Sequence, residues 1–396
     1  MERKTGTISI GVRCPIIREN DDISQITVDS VLEACESLGL SIEDRDIIAL
    51  TESIVARAQG NYASIDDIAA DIKNKFPKGH IGLVFPILSR NRFAINLKGI
   101  AKGADKITLM LSYPSDEVGN ELFPYDKLEQ SEVNPYSDVL TFEEYYQIFG
   151  QNFHPFTGVD YVKHYKDIIE SVGCEAEIIF ANNPKAILNY TKDVLVCDIH
   201  NRFRTKRILK ENGVENLYGL DNILTVSNNG SGYNNLYGLL GSNAATENTI
   251  KLFPYQCQKL VLDIQKKILK KTGKHVEVMV YGDGAFKDPK GKIWELADPV
   301  VSPAYTAGLE GTPNEIKLKY LADNNFKNLS GEKLKEAISD AIKDKVNEPS
   351  DNPASLGTTP RQLTDLIGSL CDLTSGSGDK GTPIVLVKGY FDDYSD

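Results

Sequence analysis

The chain has no apolar run of the roughly 18 residues that a helix needs to cross a bilayer. It has no Cys-x-x-Cys pair and no Gly-x-Ser-x-Gly. Its five histidines, His80, His154, His164, His200 and His275, share no metal-ligand spacing. These absences remove a membrane span, a thiolate zinc site and a hydrolase elbow from the first reading. The six cysteines, Cys14, Cys35, Cys174, Cys197, Cys257 and Cys371, sit in apolar, periodic segments. They read as reduced buried thiols and not as a disulfide framework. Basic charge is also short: 44 Lys and Arg against 56 Asp and Glu leave a net charge of −12. A broad nucleic-acid footprint needs a basic face, so no nucleic acid partner is expected. A nucleotide is still allowed, because a divalent cation can carry phosphate charge. The residues from Met1 to Thr7 carry no apolar signal-peptide core, and a cytoplasmic location is expected.

What is present suits a globular protein. A length of 396 residues suggests two domains, or one large domain with an insertion. Residues 6–17 read as an opening strand. Val28, Val31, Leu32, Cys35 and Leu38 recur at helical spacing, and Gly39 follows as a C-cap. Further strands are expected at 46–50, 80–88, 106–112, 175–181, 193–198, 276–281 and 383–390. Helices are expected near 64–72, 141–149, 160–172, 254–272, 330–346 and 360–373. Residues 222–248 are rich in Asn and Gly and read as a long loop, of the kind that is usually functional or mobile. Helices and strands alternate throughout, so the fold class is mixed α/β.

Three segments carry polar groups where chemistry is commonly found. In the first, a buried strand ends at Leu50, and Thr51, Glu52, Ser53 and Arg57 follow. Ligands gather just past strand carboxyl ends in many α/β proteins. Ser53 and Arg57 lie about one helical turn apart and could face one phosphate. The same residues also fit a capped helix with a solvated arginine. In the second, Val280-Tyr281-Gly282-Asp283-Gly284 ends a strand in a carboxylate between glycines. A carboxylate is a hard ligand for Mg²⁺ or Mn²⁺, although Asp-Gly also makes a plain β-turn. Glu295 and Asp298 lie downstream. The third, Gly376-Ser377-Gly378-Asp379-Lys380-Gly381, matches G-x-G-x-x-G, but it follows a helix and opens a strand. That order is the reverse of a dinucleotide fingerprint. What remains is a loop able to wrap phosphate with backbone N–H groups, or a simple connector. No side chain stands out as a nucleophile.

Taken in order, these segments resemble the γ-glutamyl ligases that act on the deazaflavin coenzyme F-420. Asp46-Ile-Ile-Ala-Leu-Thr-Glu-Ser-Ile-Val-Ala-Arg-Ala-Gln-Gly60 is similar to their strand and "T-x-K-I-V-S-K-A-E-G" stretch. Gly11 to Asp22 resembles their N-terminal strand and "G-D-D" turn. Val280 to Phe286 resembles their "V-S-D-T-F-G" metal segment, and Pro383 to Gly389 their closing "P-V-V-L-V-R-G" strand. The sequence departs at Ser53, where the family has a lysine, and at Gly284, where it has a threonine. Arg57 keeps the charge of the second lysine.

The resemblance implies a nucleotide- and metal-dependent ligase that adds L-glutamate, or another amino acid, to a carboxylate acceptor through an acyl phosphate. GTP or ATP and Mg²⁺ or Mn²⁺ are the implied cofactors, and a homodimer the implied assembly. Arg57 and Asp283 would be catalytic. Asp283 would hold metal with Asp105 or Asp298. Arg13, Pro15, Glu52, Ser53, Arg57 and the loop residues Ser375, Gly376, Ser377 and Gly378 would hold the nucleotide. The catalytic domain is expected at 1–119 plus 256–396, with an inserted subdomain at 120–255 shaping the acceptor site. The alternatives are a nucleotide-sensing protein that has lost catalysis, and another metal-dependent phosphoryl-transfer or hydrolytic enzyme on the same scaffold.

Overall fold

The computed structural model describes residues 4–155, 157–282, 286–287, 294–295, 303–345, 362–375 and 378–395. Two large sheets dominate. The first contains β1 (Ile8–Val12), β2 (Ile47–Thr51), β12 (Glu277–Tyr281), β15 (Ala304–Tyr305) and β16 (Ile384–Lys388). Their order is β1-β16-β2-β12-β15, with β2 and β12 parallel and the other pairs antiparallel. Strand β2 is a continuous apolar run because both of its faces are covered. Ile48, Leu50, Val278 and Val280 pack with α1 (Ile23–Leu38) and α9 (Cys257–Thr272). Their neighbours Ile47, Ala49 and Met279 point the other way, to α12 (Leu363–Ser375). Asp22 caps α1 by accepting the Gln25 N–H at 3.0 Å, and Gly39 ends that helix in a left-handed turn.

The second sheet contains β4 (His80–Val84), β5 (Lys106–Leu111), β6 (Leu140–Thr141), β7 (Glu175–Phe180), β8 (Asp193–Val196) and β9 (Asn216–Gly219). The order is β6-β7-β5-β4-β8-β9, and all but the short edge strand β6 run parallel. In chain order the parallel strands read 3-2-1-4-5, the doubly wound arrangement. Ile81, Leu83, Ile107 and Leu109 share a core with α3 (Ile65–Lys75), α4 (Phe93–Lys102) and α7 (Tyr161–Ser171). Val84, Met110, Val194 and Val196 join Leu209 of α8 (Arg202–Glu211) on the opposite face. The crossover from β5 to β7 carries α5 (Tyr125–Glu129) and α6 (Phe142–Phe149).

A third, small antiparallel sheet joins β3 (Tyr62–Ser64) to β10 (Asn243–Ala244) and β11 (Thr249–Lys251) in the order β10-β11-β3. The remaining pieces are the ribbon β13 (Phe286–Lys287) and β14 (Trp294–Glu295), and the helices α10 (Leu318–Tyr320) and α11 (Gly331–Lys343).

Strands β4 and β5 belong to the segment expected to be catalytic, yet they share a sheet with β7, β8 and β9 of the expected insertion. The hydrogen-bonded sheet therefore runs across residue 119/120, and a division by sheet falls near β3 and β11 instead. All six cysteines are free thiols, five of them buried and Cys14 partly so. Among the described residues no helix is long and apolar enough to cross a membrane.

Candidate active site

Strand register gathers the expected segments on one edge of the first sheet. Val12 pairs with Ile384, Ile384 with Leu50, and Thr51 with Tyr281. The Thr51 N–H donates to the Pro383 carbonyl at 3.0 Å. The carboxyl ends of β1, β2 and β12 and the amino end of β16 thus lie side by side. Arg13 and Pro15 leave this edge from β1, and both are exposed. Glu52, Ser53 and Arg57 leave it from β2 on α2 (Glu52–Ala58).

A cavity of about 850 Å³ opens beside α2. Ser53 and Arg57 line it, one helical turn apart, as their spacing predicts. Two further cations line it as well: Arg18, from the turn after β1, and Lys251, from β11. The far wall is the β10–β11 hairpin, with Thr246 and Thr249, and Tyr62 of β3. Lys251 reaches back to the first sheet. Its ammonium donates to both carboxylate oxygens of Glu52, at 3.0 and 3.1 Å, in a buried pair. The Cys257 thiol nearby is pushed up to about 12 by burial, with a further push from the Glu52 charge.

The hairpin is held by buried amides. Asn61 donates to the Phe253 carbonyl at 2.8 Å and accepts the Tyr233 N–H at 2.9 Å. Asn234 donates to the carbonyls of Phe253 and Pro254 and accepts from Leu236 and Tyr237. Gln59 exchanges two hydrogen bonds with the Tyr255 backbone, and Tyr233 stacks on Tyr255. The Asn-rich stretch is therefore an ordered strap that lays β10 and β11 along β3.

The doubly wound sheet has its own crevice at the switch point past the carboxyl ends of the paired strands β4 and β8, where the following helices α4 and α8 go to opposite faces, the usual ligand position in such sheets. Here the chain's own Leu220, Leu239 and Leu240 fill it, and a cavity of about 20 Å³ remains. That is room for about one water. The loop after β4 has no glycine, and its backbone is bound within the protein. Tyr165 donates its hydroxyl to the Ile87 carbonyl at 2.8 Å and accepts the Ser89 N–H at 2.8 Å. Asp116 accepts the Leu88 N–H at 2.8 Å, and burial pushes its carboxyl up to about 6. A dinucleotide has no space there.

The other expected residues divide. Ser375 is buried at the end of α12, its hydroxyl donates to the Asp372 carbonyl at 3.0 Å, and its carbonyl accepts from Thr382. That hydroxyl is committed to the helix end. Gly378 opens a short 3-10 turn ahead of β16. Asp105 stands at the amino end of β5, where its N–H donates to the Gly79 carbonyl at 2.8 Å, and it is not among the cavity residues. Strand β5 points its carboxyl end toward Ser112, so Asp105 sits at the opposite end of that sheet from the crevice. Asp283, Asp298, Gly376 and Ser377 lie outside the described residues. Sequence reasoning missed Arg18 and Lys251. Arg18 sits in an ordinary-looking turn, and only the non-local pairing of β3 with β11 places Lys251. No group of three His, Cys, Asp or Glu that could hold a metal occurs among the described residues.

Fold and site define a two-sheet α/β protein with a cation-lined cleft at the carboxyl ends of parallel strands. Residues 11–389 match the family model described as F420-0:Gamma-glutamyl ligase, and the chain belongs to that family of amide-forming ligases. A comparison with curated proteins finds no match.

Proposed function

We propose that the cavity beside α2 binds a nucleoside triphosphate and that the protein joins L-glutamate, or another amino acid, to a carboxylate acceptor through an acyl phosphate. The observation that carries this reading is the convergence of Arg18, Arg57 and Ser53 on one large cavity in a chain of net charge −12. Cations concentrated in one cleft of an acidic protein favour a polyanion there.

The chemistry asks little covalent work of the protein. An acceptor carboxylate oxygen attacks the terminal phosphorus, and the bond to the nucleoside diphosphate breaks. The amine of the amino acid then attacks the acyl carbon, loses a proton and displaces phosphate. Arg18 and Arg57 hold the triphosphate in line and offset the charge that develops on the transferring group. This suits a site with no evident nucleophile.

The described carboxylates at the cavity do not by themselves make a metal site. Glu19 is one, and both oxygens of Glu52 are taken by Lys251. A divalent cation at this edge would draw on Asp283, two residues beyond the end of β12. The assembly expected for the family is a homodimer, which light scattering on the purified protein tests.

The first experiment is thermal melting with GTP, ATP or neither, each with EDTA, Mg²⁺ or Mn²⁺. A ligand that binds only the folded state adds about 2.7 kcal/mol at 100 times its dissociation constant. One nucleotide is expected to raise the melting temperature, and phosphate release is then expected to require both an amino acid and a carboxylate acceptor. No shift with either nucleotide at millimolar concentration would sink the reading. Binding without turnover across a panel of acceptors would favour a nucleotide sensor instead.

A further inference from the structure

We propose that Lys251 is a third phosphate-binding cation of the cavity, supplied from β11, and that Glu52 is the residue that positions it. This rests on the nucleotide-site reading above and deepens it. The position most exposed to the cavity on the first turn of α2 is Ser53, which brings a hydroxyl and no charge. The charge arrives from elsewhere in the chain. Lys251 lies on β11, directly across from Tyr62 of β3, and it lines the same cavity as Ser53 and Arg57.

The geometry of the pair favours a working cation over a plain structural bridge. Lys251 is only 9% exposed, a burial that its pairing with Glu52 makes tolerable, and it still lines the cavity. Its ammonium spends two N–H donors on the two Glu52 oxygens. An ammonium has three donors, so one is left for a ligand in the cavity. Glu52 is itself 6% exposed and begins α2, four residues before Ala56 and five before Arg57. One carboxylate therefore fixes the lysine against the same short helix that presents Ser53 and Arg57. Because β11 belongs to the small sheet and α2 follows the first large sheet, the pair also joins two parts of the fold at the cavity wall.

Removing one partner of a buried pair leaves a lone charge and endangers folding, whereas removing both is often tolerated. The test therefore uses Glu52→Gln/Lys251→Met together with Lys251→Arg and Glu52→Gln, in the full-length protein. Calorimetry measures binding of the nucleotide that stabilises wild type, of inorganic tripolyphosphate, and of the matching nucleoside. The double variant is expected to bind nucleotide and tripolyphosphate at least tenfold more weakly, with nucleoside binding unchanged. Lys251→Arg is expected to stay within a few-fold of wild type. Glu52→Gln is expected to weaken nucleotide binding several-fold and leave the KM for the amino acid alone.

A folded double variant that binds tripolyphosphate as wild type does would overturn the inference while leaving the nucleotide reading intact. Equal weakening of nucleoside and tripolyphosphate would overturn it too, because that pattern belongs to a purely structural pair. If wild type binds neither nucleotide nor tripolyphosphate, the parent reading falls and this inference with it.

Discussion

The carboxylate of Glu19 lies over Gly60 so closely that a Cβ at position 60 would stand 2.5 Å from the Glu19 carboxyl carbon. Gly60 also has a φ of +60°, in the left-handed region. Two demands meet at this glycine: the chain must turn out of α2, and the Arg18–Glu19 turn must close on it. The Asn20 N–H donates to the Ala58 carbonyl at 2.8 Å and completes the contact. Since Arg18 lines the cavity, the glycine indirectly sets where that cation stands.

Gly60→Ala should therefore affect both stability and the site. The left-handed backbone alone costs a residue with a Cβ about 1–2 kcal/mol. The displaced Glu19 should carry Arg18 out of line and weaken nucleotide binding beyond what the stability loss explains. Urea denaturation paired with calorimetry separates the two effects. A variant with lowered stability and wild-type affinity would show that the turn does not serve the cavity.

Asn61→Ala should loosen the strap. The side chain is 2% exposed, and its removal leaves the part-buried Tyr233 N–H without this partner, while the Phe253 carbonyl keeps the Asn234 amide. One such orphan costs about 1–3 kcal/mol. Hydrogen exchange should speed up at Tyr233 and through β10 and β11, while β4 and β5 keep their protection. Uniform loss of protection over both large sheets would mean that the strap does not open on its own.

How far the sequence foretold this arrangement depended on whether a signal was local. Ile47 to Leu50 is an apolar run buried on both faces, and it reads as a strand without help. Ser53 and Arg57 sit on one turn of α2, and helical spacing alone places them together. Lys251 carries no such signal. Thr249–Lys251 is three residues long and pairs with Tyr62–Ser64, almost two hundred positions away, so nothing nearby marks it as a strand. Helix α8 escaped for a different reason: only Thr205 and Leu209 of its residues are buried, which leaves too thin an apolar stripe to detect. In the doubly wound sheet β4, β5, β7 and β8 are individually visible, but the short strands β6 and β9 are not, and neither is the strand order. Strand order is set by crossover packing, which a single sequence does not display.

Asp198 should give stability a dependence on pH. It is 2% exposed and accepts the Thr205 hydroxyl at 2.6 Å, yet burial pushes its carboxyl up to about 7, with the nearby Glu117 charge adding to the rise. The ordinary value is 3.8, so between about pH 4 and pH 7 the folded protein holds this proton more tightly than the unfolded chain. The unfolded state then binds fewer protons, and stability falls as pH rises through that window. Asp198→Asn keeps an acceptor for Thr205 and removes the ionisation. At about 1.4 kcal/mol per unit, it should gain on the order of 2–4 kcal/mol at pH 8 and little at pH 4.5. Denaturant melts at the two pH values check this. An equal gain at both would show that the carboxyl does not ionise in that range.

Arg57 offers the most direct test of the cavity itself. It is exposed, and it forms no ion pair among the described residues, so the fold does not draw on its charge. Arg57→Ala should change stability by no more than about 0.5 kcal/mol. Nucleotide affinity should fall by about 1.5–3 kcal/mol, the value of a charge-assisted hydrogen bond, which is roughly 10- to 150-fold. Arg57→Lys should recover part of the loss, because a point charge still attracts phosphate but cannot grip it with a fork. The wild-type affinity should also weaken as salt rises from 0.05 to about 0.5 M, since exposed charges are screened, and the Ala variant should respond less. Calorimetric titrations over that salt range read both effects. If Arg57→Ala binds as tightly as wild type at low salt, the phosphates lie elsewhere and the cavity beside α2 serves another ligand.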